Sequence, residues 1–230
     1  MSQTVEFKSN GGTASGYLAT PASGKGPGLM VIQEWWGLDS GIKQMADKLA
    51  QGGFVALAPD LYHGELAAHT EMDKAGKLMQ SLPPDRAARD MSGAIDYLAS
   101  HPAVTSKTLG VVGFCMGGML GFLIAANRPD KVSAVVPFYG FPQGASEPDW
   151  TKLKAVIRGH MAEQDSFFTP DAARALEKKL RGLGKDVTLT VHPGTGHAFM
   201  AEHNALGTRN EKVAAEIWPQ VLEFLKKHVV

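Results

Sequence analysis

The only cysteine of the chain, Cys115, lies in Gly113-Phe-Cys115-Met-Gly117, directly after the apolar run Leu109-Gly-Val-Val. This is the Gly-x-Ser-x-Gly spacing of a nucleophile elbow, with Cys in place of Ser. A sharp strand-to-helix turn lifts such a residue above its sheet in a strained conformation. Small residues at the two flanking positions make room for the turn. A helix beginning near Met116 would aim its N-terminus at the sulfur and favour the thiolate. The backbone N–H of Met116 would then be available to a developing oxyanion. A small buried cysteine at a tight turn has the same local sequence. Nucleophilic chemistry therefore also needs an acid and a base further along, in the order nucleophile, acid, base.

His197 is the candidate base. It follows the last apolar run in Pro193-Gly-Thr-Gly-His197, and a Gly-rich turn lets an imidazole reach back over a sheet. Of eight histidines, only this one combines strand, turn and late position. His101 and His228 read as surface residues, and His160 and His192 as core ones. The segment from Ala155 to Asp165 offers Glu163 and Asp165 as the acid. Apolar strand, small-residue turn, then Asp is the usual form, which favours Asp165 over Glu163. Asp149 falls in the long loop after the preceding strand. A second carboxylate, Glu34, ends the strand Leu29-Met-Val-Ile-Gln and precedes Trp35-Trp36-Gly37. There it would face the thiol, repel a thiolate or share its proton, and so control when Cys115 is charged. The plainer alternative is a capping or ion-paired Glu at a strand end. The N–H of Trp35 is the candidate second oxyanion donor.

These residues need a scaffold of strands ending at one edge. The pattern predicts an N-terminal hairpin over Val5–Phe7 and Ser15–Ala19. Buried strands are expected at Gly28–Gln33, Phe54–Ala58, Thr108–Gly113, Val132–Phe138, Ala155–Arg158 and Val187–His192. Helical spacing covers Ser40–Ala50, Met72–Leu82, Arg86–Ser100, Met116–Asn127, Pro170–Leu183 and Ala205–Lys227. Short apolar strands alternating with helices indicate a mostly parallel sheet of about eight strands, covered on both faces. No repeat or linker divides the sequence, so residues 1–230 read as one α/β domain. In such sheets, sites form at the carboxyl ends of the strands.

Composition excludes several classes. Lys plus Arg equals Asp plus Glu at 23 each, which leaves no basic field for nucleic acid or an anionic membrane. One cysteine forbids an internal disulfide and a cysteine-based zinc site. The N-terminus lacks the basic and apolar blocks of a signal peptide, and no apolar run approaches the roughly 20 residues of a membrane span. A cytoplasmic, reduced location is the expectation.

Gln33-Glu34-x-x-Gly37, Ala58-Pro-Asp-Leu-Tyr62, Gly113-x-Cys115-x-Gly117-Gly118, Phe138-Tyr-Gly140, Gln164-Asp165 and Gly196-His197-x-Phe199 together resemble the dienelactone hydrolases. The resemblance implies an α/β-hydrolase fold and a Cys115–His197–Asp165 triad. It casts Glu34 as the carboxylate that contacts the resting thiol and helps deprotonate it when substrate arrives. It places Tyr139 in the substrate pocket, with Trp36 and Phe199 beside it. The family opens the lactone of 4-carboxymethylenebut-2-en-4-olide, and neither metal nor organic cofactor is implied. Family members are often monomeric, so a monomer acting on a small ester or lactone is expected. One departure stands out. Well-studied members grip the substrate carboxylate with two arginines, whereas this chain has no Arg before Arg86 and none between His197 and Arg209. Lys74 and Lys77 are the only cations between Tyr62 and Leu82, and Lys does not copy a bidentate guanidinium clamp. A neutral or differently bound ester or lactone is the expected substrate. A thioesterase on the same triad and a redox protein using Cys115 are the competing readings.

Overall fold

The structure, a computed structural model, describes residues 1–9 and 11–230. Eight strands form one sheet: β1 (Ser2–Ser9), β2 (Gly12–Ala19), β3 (Gly26–Ile32), β4 (Val55–Pro59), β5 (Val104–Phe114), β6 (Val132–Phe138), β7 (Val156–Gln164) and β8 (Val187–Gly196). Their spatial order is β1-β2-β4-β3-β5-β6-β7-β8. β1 and β2 form an antiparallel hairpin, and β2 pairs antiparallel with β4. From β4 to β8 every pairing is parallel. Six strands therefore deliver their carboxyl ends to the same edge. The sheet order and the expected eight strands match the α/β-hydrolase fold.

The strand sequences explain why both faces are covered. Leu29 to Ile32, Val55 to Ala58 and Ala134 to Val136 are buried without alternation, as a parallel sheet sandwiched by helices requires. Helix α1 (Ser40–Gln51) and the C-terminal α6 (Glu211–His228) pack on one face. Helices α2 (Met72–Ser81), α3 (Pro84–Ser100), α4 (Met116–Asn127) and α5 (Pro170–Gly182) cover the other. Caps fix where the helices begin. Asp39 accepts the N–H of Ile42, Thr169 that of Ala172 and Asn210 that of Val213; a cap of this kind contributes about 1 kcal/mol.

Three boundaries differ from the sequence expectation in ways that matter to the site. β7 continues past Arg158 to Gln164, because both its neighbours supply ladder partners as far as Phe138 and Gly196. What reads as a small-residue turn is thus strand. β8 likewise runs through Pro193-Gly-Thr-Gly to Gly196. α6 begins at Glu211 rather than Ala205, since Asn210 caps it there and Asn204 holds the preceding loop by accepting the N–H of Arg209.

Candidate active site

β5 ends at Phe114, and Cys115 turns the chain into α4 with φ 52° and ψ −116°. A non-glycine residue at positive φ is strained. Two hydrogen bonds hold it there: its N–H donates to the carbonyl of Phe138 at 3.0 Å, and its own carbonyl accepts from Gly118 at 2.9 Å. The glycines of the elbow are required by close packing. A Cβ on Gly117 would lie 2.6 Å from the carbonyl oxygen of Gln33, and one on Gly118 2.8 Å from that of Gly140. The thiol is half-buried at the N-terminus of α4, whose first N–H groups, Met116 first among them, have no acceptor inside the helix. The N–H of Trp35 makes no backbone hydrogen bond among the described residues. Both expected oxyanion donors are therefore unspent by the main chain.

His197 and Asp165 meet because of strand register. Gln164 of β7 is paired with Gly196 of β8, so the next residue on each strand stands beside the other. His197 Nδ1 and Asp165 Oδ2 are 2.7 Å apart and buried. Asp165 Oδ1 accepts the N–H groups of Phe167 and Phe168 at 2.8 and 3.0 Å. That carboxylate is fully committed as an acceptor, so Nδ1 carries the hydrogen and Nε2 is left for the thiol. Phe168 stacks on the imidazole, with ring centroids 5.9 Å apart, while Phe167 and Tyr139 meet it edge-on, each at 5.2 Å. Burial by itself lowers the pKa of His197. The hydrogen bond to Asp165, then the polar interaction with the Cys115 sulfur, and the charges of both groups outweigh it and raise the value to about 10. Cys115 and His197 line the same cleft, and no hydrogen bond of standard geometry joins sulfur and ring among the described residues; such bonds are often loose before substrate binds. Glu163 instead accepts the N–H of Gly194, and Asp149 caps a single turn at Thr151, so neither alternative acid reaches His197.

Glu34 sits just beyond β3 and is 4% exposed. Its Oε2 is 2.9 Å from Nε2 of His203, while Oε1 has no hydrogen-bond partner among the described residues. His203 is the residue that sequence reading missed. No local motif marks it, and only the fold brings it 169 positions back to Glu34.

Above these groups lies a cleft of about 540 Å³. Its walls are mostly methionines and aromatic rings (Trp35, Trp36, Met72, Met79, Met116, Met119, Phe167 and Phe168, with Ala198 and Leu206) and one amide, Gln80; Cys115, His197, Glu34 and His203 share the same cleft. Trp36 is one of these walls. Tyr139 and Phe199 are not among its walls: both are 0% exposed, Tyr139 meets the imidazole of His197 edge-on, and Phe199 meets Tyr139 edge-on with ring centroids 5.4 Å apart. Burial raises the pKa of Tyr139 well above normal, and the nearby charges of Glu34 and Cys115 add to this. The spacing of Met72 and Met79, two turns apart on α2, and the Phe-Phe pair after Asp165 were the available signals for the walls. No lysine or arginine lines the cleft among the described residues. Lys74 and Lys77 border a separate surface hollow, and Arg209 is engaged by Glu202 and the Met200 carbonyl.

Known proteins share this architecture over its full length. A protein of Aquifex pyrophilus, "Protein usf", is 39% identical, with all of both chains aligned. One of Aquifex aeolicus (strain VF5), named "Putative carboxymethylenebutenolidase", is 37% identical, again over all of both chains. The crystal structure of a Klebsiella pneumoniae protein titled "Putative Dienelactone Hydrolase" superimposes with a TM-score of 0.83 at 25% identity, covering 99% of this chain and 100% of that one. No helix among the described residues is long and apolar enough to cross a membrane. Residues 14–229 match the profile of the Dienelactone hydrolase family, and the chain belongs to that family.

Proposed function

We propose that this protein hydrolyses neutral, largely apolar esters or lactones by acyl transfer to Cys115. The observation that carries the reading is the His197–Asp165 pair, with His197 and Cys115 both lining a mostly apolar cleft that has no lysine or arginine among the described residues. The thiolate attacks the carbonyl carbon, and the electron pair of the C=O bond moves to oxygen. The N–H groups of Trp35 and Met116 receive that oxyanion; losing one such donor typically costs about a hundred- to a thousandfold in rate. As the C–O bond breaks, His197 gives its Nε2 proton to the leaving alkoxide. In a lactone the alkoxide stays attached to the acyl group. His197 then takes a proton from water, hydroxide attacks the thioester, and Cys115 leaves as thiolate. Asp165 keeps the imidazole in the tautomer both steps need and stabilises the imidazolium.

Two features favour a neutral substrate. A buried carboxylate is best held by a fixed cation, and among the described residues the cleft has no lysine or arginine; its walls are mostly methionines and aromatic rings, with Gln80 as the one amide. Glu34 in the cleft would repel an anion. The name of the Aquifex aeolicus relative is consistent with lactone opening, while the substrate of this chain is read from its own walls. The test is a panel of p-nitrophenyl acetate, p-nitrophenyl butyrate, a butyryl thioester and cis- and trans-dienelactone, with wild type and Cys115→Ala. Expected is turnover of the neutral esters at least tenfold faster than of the anionic dienelactones, abolished in Cys115→Ala. Equal rates for Cys115→Ala would refute the nucleophile, and preference for the dienelactones would refute the substrate class.

A further inference from the structure

We propose that His203 is a positioning residue that holds Glu34 turned away from Cys115, so that the thiol exchanges its proton with His197 alone; this rests on the Cys115 chemistry proposed above. A carboxylate with 6% of its side chain exposed needs a donor, and among the described residues His203 Nε2 is the one side-chain donor in standard hydrogen-bond geometry with Glu34. The direction of that bond is fixed by the other side of the ring. His203 Nδ1 accepts the N–H of Ala205 at 3.0 Å, so the hydrogen resides on Nε2 and is donated to Glu34 Oε2.

The ring is also clamped by its neighbours. His69 stacks on it with centroids 4.1 Å apart, and Trp36 meets it edge-on at 6.0 Å. His69 is itself tied to Asp39 at 2.7 Å, and Asp39 is the N-cap of α1. The orientation of Glu34 is thereby anchored to a helix on the face of the sheet opposite α4. Glu202, next to His203 in the chain, is neutralised by Lys48 and Arg209 and does not compete for the ring.

Two donors remain near Glu34 once His203 is removed. One is the hydroxyl of Tyr139, buried without a partner. The other is the thiol, which shares the same cleft. A carboxylate released from His203 would turn to one or both. Facing the sulfur, it would keep the proton there and oppose the thiolate. The remaining ionisable groups around the thiol are His197 after β8, Tyr62 after β4 and Tyr139 after β6, and none of them is substituted in the test.

The rate at which iodoacetamide, a neutral reagent, alkylates Cys115 at pH 7 reads the thiolate without requiring any hydrolysis. His203→Phe keeps the stack and removes the donor; His203→Met does the same without a ring, should the first fail to fold by circular dichroism. Alkylation is expected to slow on the order of tenfold in either variant. It should return to the rate of Glu34→Gln in the His203→Phe/Glu34→Gln double variant. His203→Gln, which restores an N–H donor, should stay within about threefold of wild type. Wild-type alkylation in folded His203→Phe and His203→Met would overturn the proposal. A slow rate persisting in the double variant would overturn it too, since the effect would not run through Glu34. The ordered alkylation rates in an enzyme that hydrolyses no ester would support the role of His203 while refuting the ester reading.

Discussion

Gly140 carries no chemistry, yet its substitution should disable the site. It follows β6 and packs flat against the backbone of the nucleophile. A Cβ there would lie 2.8 Å from the carbonyl carbon of Cys115, and closer still to its oxygen. Normal carbon–carbon contact is about 3.5–4 Å, so something must move by roughly 1 Å. Neither side yields easily. The Cys115 carbonyl is held by Gly118 and its N–H by Phe138, while the neighbour of Gly140, Tyr139, is fully buried at φ 37°. Overpacking of this kind costs about 1–3 kcal/mol of stability. A displacement of about 1 Å at reacting atoms costs on the order of a hundredfold in rate. For Gly140→Ala we expect kcat/KM on p-nitrophenyl butyrate to fall about a hundredfold, with circular dichroism like that of wild type and a melting temperature several degrees lower. Gly76→Ala is the control, because a Cβ at that helical position meets nothing within 4 Å. It should keep full activity and gain about 0.5–1 kcal/mol. Activity of Gly140→Ala within threefold of wild type at an unchanged melting temperature would refute the tight coupling of this glycine to the nucleophile.

Asp165→Asn should preserve the fold and reduce kcat roughly a thousand- to ten-thousandfold, because the amide favours the wrong imidazole tautomer; a loss under tenfold in steady-state kinetics would contradict the triad. Stability should fall at both ends of the pH range. Burial and then His192 hold the pKa of His160 down at about 3. Between about 6.5 and 3 the unfolded chain therefore binds a proton the folded one refuses, and stability drops as pH falls through that window. Urea unfolding at pH 7 and pH 5 should show the loss, and His160→Phe, which retains an aromatic ring against Phe138, should flatten it. His197 acts in the opposite sense: with its folded pKa raised to about 10, the stability it contributes is complete below about 6.5 and disappears as pH rises through 10. Equal unfolding midpoints at pH 7 and 9.5, with the thiol intact, would contradict this.

What the sequence discloses and what it hides divide along physical lines. The elbow, the base and the acid each depend on local chemistry, namely glycines where a Cβ cannot fit and a polar residue at the end of an apolar strand. The residues Cys115, His197 and Asp165 were therefore legible. The partner of Glu34 was not, because His203 reaches it only through the folding of a loop after β8 onto the turn after β3. The full lengths of β7 and β8 were hidden for a related reason. Gly159 and Pro193-Gly-Thr-Gly look like turns, yet ladder pairing with neighbouring strands overrides local preference. At Gly159 the missing side chain makes room for Leu189, to which an added Cβ would come within 2.6 Å. Tyr139 and Phe199 were expected at the substrate because their motifs flank the site. They are instead fully buried, Tyr139 edge-on against the imidazole of His197 and Phe199 against Tyr139.

The most direct test of the mechanism is to look for the acyl group on the sulfur. Wild-type protein mixed with excess p-nitrophenyl butyrate and quenched in acid within milliseconds should carry one butyryl group by intact mass. Peptide mapping should place it on Cys115, and the adduct should decay at the steady-state turnover rate. His197→Ala should form it more slowly, and Cys115→Ala not at all. Rapid hydrolysis with an unmodified Cys115 at every quench time, or an adduct on another residue, would contradict the assignment of Cys115 as the nucleophile.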